Sequence, residues 1–281
     1  MTTRRPGPSV VAALALAVGL AACGPGSGAD NGPGATREAG TDANRLAEAA
    51  RALFAGDGAR WVDLTHAFRD SAIYWPTAEG FELEVVAEGR TEGGYYYAAN
   101  RFSAAEHGGT HMDAPIHFHE GGATADEVSL QRMIGPAAVV DVSDAAEDDA
   151  DYRVTVEDLR AWEEAHGRIP DGALVLLRTG WADRWPDPER YLGTARRGPE
   201  AVPELHFPGL HPDAARWLVE ERSVDAVGLD TPSIDHGPST DFMAHRVLYA
   251  AGVPGFENLA RLDELPPTGA YAVALPMKIA G

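Results

Sequence analysis

The chain has 281 residues, of which 44% are hydrophobic and 23% charged; this suffices for the buried core of an α/β-sized domain and excludes a disordered or fibrous protein. Its formal net charge of -20 repels the phosphates of nucleic acids, so we expect no nucleic-acid partner. The single cysteine, Cys23, excludes an intrachain disulfide, a zinc site built from cysteines and a CxxC redox motif.

The N-terminal segment predicts export. Two arginines precede residues 10–22, an almost unbroken run of Val, Ala and Leu that is too short to span a bilayer and typical of a signal peptide. The run ends in Leu-Ala-Ala-Cys-Gly, which resembles the lipobox of bacterial lipoproteins. The resemblance implies a signal peptide over residues 1–22 and an exported, membrane-anchored lipoprotein with acyl chains on Cys23. The alternative is an ordinary secreted protein.

The first half of the mature chain predicts a tether followed by strands. Residues 23–41 are rich in Gly, Pro, Ala and Asn without a hydrophobic period, which indicates a flexible tether. We therefore place the folded domain at residues 42–281, beginning with a short helix over 43–54. Segments in which β-branched or aromatic residues lie between turn residues predict strands; these are residues 60–65, 81–88, 95–105 and 137–142.

Helices and strands alternate in the second half. Thr155, with Asp158 three residues later, predicts the start of a helix over residues 156–166. The continuous apolar run at residues 173–178 predicts a strand that is buried on both faces. The remaining predictions are helices over 212–222 and 242–251 and strands over 224–229 and 270–275. This order indicates a mixed α/β domain without internal repeats.

Histidines are concentrated in one short segment. Four of the ten lie within 13 residues; they are His107, His111, His117 and His119. The glycines after His107 permit a tight turn, and His111, Asp113 and His117 share one face of an extended chain. Pro115 excludes a continuing helix. Because imidazole and carboxylate are the usual ligands of zinc or manganese, the segment predicts a metal site. His119 and Glu120 form no HExxH motif, and we expect both on the surface.

Residues 107–118, HGGTHMDAPIHF, resemble the HxGTHxDxPxHF signature of the cyclase-like metal-dependent hydrolases. That family includes bacterial kynurenine formamidase and isatin hydrolase. Later segments resemble its C-terminal blocks: VGLDTPSIDH at 227–236, DFMAHR at 241–246, GFENL at 255–259 and LPMKI at 275–279. The resemblance covers roughly residues 60–281. It implies a mixed sheet with a barrel-like core of the swivelling β/β/α type, and a homo-oligomer.

The resemblance also implies roles for individual residues. His107, His111, Asp113, His245 and Glu257 match the metal ligands of the family, with Asp113 bridging where two ions bind. His117 matches its proton-transferring histidine, and Trp75 an aromatic residue that contacts substrate. Zinc is the expected ion and manganese the alternative, with one or two ions bound. Without the resemblance, we would interpret His245 as a packed helix residue and Glu257 as one of many surface acids.

The implied activity is hydrolysis of the C–N bond of an aryl amide, of the N-formylkynurenine or isatin type, by metal-activated water. Formamidases typically follow Trp-Pro with Gly-Asp, whereas this chain has Thr77-Ala78-Glu79-Gly80, and its pattern is closer to isatin hydrolase. Two alternatives stay open. One is a family hydrolase or lactonase for another small carbonyl compound, and the other is a lipoprotein that binds metal or ligand without turnover.

Three further polar residues and two aromatic ones are candidates near this site. Asp230, Ser233 and Asp235 follow a predicted buried strand, where the sites of α/β proteins often lie. They either hydrogen-bond to metal ligands or stabilise turns. Tyr97 and Phe102 are candidates for an aromatic pocket, although Phe102 reads better as a core residue.

Overall fold

The computed structural model describes residues 60–280. The predicted signal peptide, Cys23, the tether, the helix over residues 43–54 and the domain start at residue 42 lie outside the described residues. Among the described residues, no helix is both long and apolar enough to cross a membrane.

The described strands form one mixed sheet and two small ribbons. Their bounds are β1 Glu82–Arg90, β2 Tyr96–Ser103, β3 His111–Asp113, β4 Ile134–Asp141, β5 Arg153–Val154, β6 Leu174–Arg178, β7 Gly209–Leu210, β8 Ala226–Leu229, β9 Gly255–Glu257 and β10 Ala270–Val273. The main sheet has the order β10-β4-β6-β8-β9-β3. Its four inner strands run parallel, and the edge strands β10 and β3 are antiparallel to their neighbours.

Five α-helices connect and cover these strands in the described part of the chain. They are α1 Ser143–Asp148, α2 Val156–His166, α3 Pro188–Leu192, α4 Pro212–Arg222 and α5 Met243–Ala250. The predicted bounds of α2 and α4 are confirmed. The capping box of α2 forms as predicted, because the Asp158 N–H donates to Thr155 Oγ1 and the Thr155 N–H donates to Asp158 Oδ2. Short 3-10 turns include Pro115–His117, directly after β3.

The sheet is buried on both faces, as the apolar run of β6 predicts. Val175 and Leu177 pack into the core beneath the helices, while Leu174 and Leu176 belong to a second apolar cluster on the opposite face. Successive side chains of a strand point to opposite faces, so one continuous apolar run supplies both cores. This packing fixes the ends of β8 and β9, next to which the polar residues of the candidate site lie.

Two sequence-based expectations about strands differ from the structure. Residues 60–65 form no strand; the Leu64 carbonyl accepts a single backbone hydrogen bond, from the Ala260 N–H, instead of a strand ladder. The barrel-like core is not confirmed: the described strands form an open sheet, because β10 and β3 end it on opposite edges without pairing with each other.

The hairpin of β1 and β2 is a separate antiparallel ribbon with a register shift between Val85 and Ala87. Most of its side chains are exposed. Phe102, expected in the core, is 55% exposed, because the ribbon carries it away from the main sheet. Its ring stacks on Phe81 at 5.9 Å.

Candidate metal centre

Strand pairing brings the first candidate residues together. In the antiparallel pair of β3 and β9, His111 lies opposite Glu257 and Asp113 lies opposite Gly255. The two carboxylates, Asp113 and Glu257, are 1% and 4% exposed. Charged carboxylates are almost never buried to this degree unless they are paired or bind a metal.

The turn before β3 requires two glycines. A Cβ on Gly108 would lie 2.0 Å from the ring of Tyr74, and Gly109 has a φ of +59° with Phe68 packed on it. Only glycine meets both conditions without strain. The Asn258 side chain donates from Nδ2 to the Gly109 carbonyl at 2.8 Å. The turn that carries His107 and His111 is therefore held from both sides.

Helix α5 places His245 beside the same two carboxylates, those of Asp113 and Glu257. Asp235 caps the start of this helix, because its carboxylate accepts hydrogen bonds from the N–H groups of Ala244 and His245. The same carboxylate accepts a hydrogen bond from His245 Nδ1 at 2.6 Å. Of the two roles considered for Asp235, the structure therefore shows hydrogen bonding to a candidate ligand.

Two groups of donor atoms each lie within 4.8 Å of one another, those of His111, Asp113 and Glu257 and those of His107, Asp113 and His117. His107 Nδ1 lies 2.8 Å from Asp113 Oδ1, and His111 Nε2 lies 3.2 Å from Asp113 Oδ1 and 3.4 Å from Glu257 Oε2. His245 Nε2 lies 3.5 Å from Asp113 Oδ2 and 3.1 Å from Glu257 Oε1. Atoms that share one ion at about 2.1 Å lie about 3.0–3.4 Å from each other, so this donor set fits a divalent cation.

The outer nitrogens of two imidazoles are already bonded. His111 Nδ1 lies 2.9 Å from the Gly109 carbonyl, and His245 Nδ1 lies against Asp235. Such contacts orient metal-ligating histidines so that the other nitrogen faces the ion. His111 Nε2 is buried without a hydrogen-bond partner in the described chain. An orphaned buried nitrogen that faces two carboxylates is the arrangement that a cation completes.

The buried carboxylates of the cluster favour positive charge on the groups beside them. Burial alone would lower the pKa of His111, but contacts with Asp113 and Glu257 outweigh it and raise that pKa to about 10. The pKa of His245 is likewise raised well above its usual range, against the effect of burial, by Asp113, Asp235 and Glu257. Burial would raise the pKa of Asp113, but its histidine partners hold it well below the usual range. In the absence of an ion, the buried carboxylates therefore hold protons on these imidazoles.

His117 lies at the open side of the cluster. Its Nε2 is 4.0 Å from Asp113 Oδ2, and its ring stacks on that of His107 with 3.8 Å between centroids. The side chains of His107 and His117 are 34% and 32% exposed, so this side is open to solvent. Desolvation lowers the pKa of His117 to about 4. The imidazole is consequently neutral at pH 7 and able to accept a proton.

Two hydrogen-bond donors in the cluster were missed from the sequence. Tyr249, fully buried, donates from its hydroxyl to Asp113 Oδ2 at 2.8 Å. The Ile234 N–H donates to Glu257 Oε1 at 2.8 Å. The spacing of Tyr249, four residues after His245, is the one signal that places it on the same helix face.

The remaining candidates have structural contacts. Asp230 accepts hydrogen bonds from the backbone N–H groups of Thr179 and Gly180, and the Ser233 carbonyl accepts one from the Thr231 hydroxyl. Both residues therefore stabilise turns. Trp75 is partly buried, and its ring lies edge-to-face with Phe207 at 6.3 Å. Its contact with substrate stays a prediction.

Tyr97 lies on β2 and is 52% exposed. A groove of about 420 Å³ lies at the base of the hairpin and is lined by residues such as Phe81, Leu83 and Phe102. Neither the five predicted ligands nor His117 lines this groove. The groove therefore gives no support for a pocket at the metal centre built from the hairpin aromatics.

The chain is similar to a known protein family and to individual relatives. A family model described as "Cyclase: Putative cyclase" matches residues 62–236. The chain is similar to isatin hydrolase of Roseibium aggregatum, with 34% identity over 206 residues that cover 70% of this chain and 75% of the relative. It is also similar to kynurenine formamidase of Bacillus mycoides, with 26% identity over 220 residues, 78% of this chain and 91% of the relative.

Among solved structures, an isatin hydrolase bound to the product analogue thioisatinate superposes with a TM-score of 0.73 at 29% identity, covering 85% of this chain and 93% of that one. The sequence and the fold therefore agree on the same group of relatives.

Proposed function

Because the chain belongs to the putative cyclase family, we propose that it is a metal-dependent hydrolase that cleaves the C–N bond of an aryl amide. The observation that carries this proposal is the pair of buried carboxylates, Asp113 and Glu257, with histidine nitrogens 2.8–3.5 Å from their oxygens. His107, His111, Asp113, His245 and Glu257 would hold one or two ions. A divalent ion bound at this centre would supply activated water and would polarise the carbonyl oxygen of the substrate.

The ion that we propose is zinc, with manganese as the alternative. Imidazole and carboxylate ligands suit both ions, and no cysteine ligand selects between them. The protein contributes the orientation of the ligands. Asp235 and the Gly109 carbonyl hold the outer nitrogens of His245 and His111, so both imidazoles present Nε2 to the centre.

His117 is the residue that we assign to proton transfer. It lies beside the cluster and is neutral at pH 7 because its pKa is about 4. The imidazole accepts a proton from the attacking water, whose oxygen bonds to the carbonyl carbon. As the C–N bond breaks, His117 returns the proton to the departing aryl nitrogen, so the reaction consumes one water and leaves the histidine unchanged.

We favour a cyclic aryl amide of the isatin type over an open-chain N-formylkynurenine type. The support is the higher identity to isatin hydrolase, 34% against 26%, together with the sequence after Trp75-Pro76, which departs from the formamidase pattern. Trp75 is the proposed aromatic contact for such a substrate. Hydrolysis of the ring amide would yield an aromatic amine and a carboxylate on one product molecule.

The test is turnover by the purified full-length chain with zinc or manganese, offered isatin, N-formylkynurenine and a simple lactone. We expect hydrolysis of isatin that a chelator abolishes and the added ion restores. Hydrolysis of the lactone alone would favour the alternative of another small carbonyl substrate. Stoichiometric ion binding without turnover of any compound would favour the binding lipoprotein instead, although His117 beside the centre argues against it.

We also propose that the chain is exported and anchored to a membrane through a lipidated Cys23, by virtue of the lipobox-like sequence at residues 20–24. Labelled palmitate should enter the full-length chain expressed in a bacterial host but not its Cys23→Ser variant. The variant should also leave the membrane fraction. Equal labelling of both chains would contradict the anchor.

A homo-oligomer remains our proposal for quaternary structure. Its support is apolar surface in two places: the hairpin, with Val85 58% and Tyr96 62% exposed, and the C-terminal segment, with Leu275 67% and Met277 62% exposed. Contiguous exposed apolar side chains are typical of interaction sites, and a lone two-stranded ribbon is marginally stable in water. Light scattering of the purified chain should give a multiple of the monomer mass, and a monomer at all concentrations would refute the proposal.

A further inference from the structure

The two buried carboxylates of the metal centre divide it into two sides. On one side, Asp113 Oδ1 and Glu257 Oε2 face His111 Nε2 at 3.2 and 3.4 Å, and His107 also lies against Asp113 Oδ1. On the other side, Asp113 Oδ2 and Glu257 Oε1 face His245 Nε2 at 3.5 and 3.1 Å. Each side offers ligands for one ion, with Asp113 able to bridge the two.

The two sides differ in the donors that already occupy their oxygens. On the His245 side, the Tyr249 hydroxyl donates to Asp113 Oδ2 at 2.8 Å and the Ile234 N–H donates to Glu257 Oε1 at 2.8 Å. Both donors are fixed by the fold, because Tyr249 is fully buried and the Ile234 donor is a backbone N–H. On the His107 and His111 side, the contacts of the same carboxylates are with histidine nitrogens, which an ion can replace as partners.

A hydrogen bond from a fixed donor occupies one lone pair of a carboxylate oxygen, so it competes with a metal ion for that oxygen. Tyr249 is unable to move aside easily, because its ring is fully buried in the core that α5 forms with the sheet. It therefore fixes Asp113 with Oδ2 bonded to a neutral donor and Oδ1 directed to His107 and His111.

We infer that Tyr249 is a positioning residue that commits the centre to one tightly bound ion, on the side of His107 and His111, and makes a second ion at His245 bind much more weakly. This inference rests on the proposed metal-dependent function and concerns the number of ions and not the substrate. Because two hydrogen bonds to charged oxygens oppose an ion on the His245 side, the second ion should bind at least about 100-fold more weakly than the first. Loss of the Tyr249 hydroxyl should reduce that ratio by about tenfold or more.

The experiment is a calorimetric titration of the metal-free full-length chain with Zn²⁺ in the presence of a competing chelator. For the wild type we expect one equivalent in the tight phase. Tyr249→Phe removes only the hydroxyl, and the ratio of second to first dissociation constant should fall as stated. Tyr152→Phe is the matched control, since Tyr152 also donates from a phenol to a carboxylate, that of Asp158 at 2.8 Å, away from the centre.

Two equally tight equivalents in the wild type would overturn the inference while leaving metal dependence intact, and this result needs no variant. An unchanged ratio in a folded Tyr249→Phe chain would overturn it as well, because a merely structural role would weaken both ions together or neither. Absence of any Zn²⁺ binding by the wild type would instead overturn the metal centre itself, and the proposed function with it.

Discussion

His245 Nε2 lies 3.1 Å from Glu257 Oε1, a contact that joins helix α5 to strand β9. His111 approaches the other oxygen of the same carboxylate at 3.4 Å. Glu257 thus links a helix residue to a strand residue from a distant part of the chain. The candidate centre therefore depends on the negative charge of this side chain.

Glu257→Gln should release the ion. The amide keeps the size of the side chain but removes the negative charge that faces His111 and His245, and a neutral amide is a much weaker ligand for zinc or manganese. We expect ion affinity to fall by at least about 100-fold, measured as metal content after dialysis against a weak chelator. Glu220→Gln, on the exposed surface of α4, is the control. Wild-type metal content in the Glu257 variant would remove this residue from the centre.

Asp235→Asn should weaken ion binding on the His245 side of the centre. The carboxylate accepts hydrogen bonds from His245 Nδ1 at 2.6 Å and from two N–H groups of α5. An amide accepts fewer of them, so His245 loses its fixed orientation, and the affinity of the second, weaker ion should drop about 10- to 100-fold. Asp230→Asn is the contrast, because that buried carboxylate bonds to Thr179 and Gly180; it should lower the melting temperature without changing ion affinity. Equal effects of both variants on affinity would refute the specific role of Asp235.

His117→Ala should slow turnover and leave the ion in place. The imidazole is 4.0 Å from Asp113 Oδ2 and neutral at pH 7, and loss of such an acid–base group costs about 10²-fold or more in kcat. Metal content and kcat should be measured on the same preparation. His119→Ala alters an exposed residue two positions later and should turn over at the wild-type rate. Wild-type kcat in the His117 variant would exclude it from proton transfer.

Glu163→Gln should destabilise the fold in a pH-dependent way. Glu163 pairs with Arg222 through contacts of 2.7 and 2.8 Å that join α2 to α4, and the Arg222 contact holds the pKa of Glu163 below its usual range. Because the folded pKa is depressed, the pair stabilises the fold at neutral pH, and this stabilisation is lost as pH falls below about 4.5.

Urea unfolding at pH 7 should therefore show a loss of about 1–3 kcal/mol in the variant. The difference between wild type and variant should shrink as pH falls below about 4.5 and through the depressed pKa of Glu163, because Glu163 itself then becomes protonated. A difference that stays constant over this range would show that side-chain packing, and not the charge, carries the effect.

Local patterns predicted much of the fold. The bounds of α2 and α4 follow from their capping residues and the proline at the start of α4, because these act within one helical turn. The buried strands β6 and β8 follow from continuous apolar runs. The spacing of the histidine-rich segment indicated a metal site among His107, His111, Asp113 and His117, while their individual roles, and His245 and Glu257 altogether, required the resemblance to a family.

Other features escaped local patterns because they depend on neighbours far along the chain. Residues 60–65 have a strand-like composition, yet no strand lies beside them to complete a ladder. Phe102 is apolar enough for a core, but the β1–β2 ribbon projects it outward. Apolar composition shows that a side chain favours burial or a strand. It does not show whether the topology places a neighbouring strand or core beside that side chain.

The amino-acid sequence by itself predicted the chemistry of the candidate centre: a segment of histidines and a carboxylate suited to a divalent ion, and the glycine turn that carries it. Only the tertiary structure decided how they are used. Asp113 and Tyr249 are 136 residues apart, and their contact depends on the register of β3 against β9 and on the packing of α5. Periodicity predicts the face of a helix or strand on which a residue lies. Which faces from distant parts of the chain come into contact depends on how the whole chain folds.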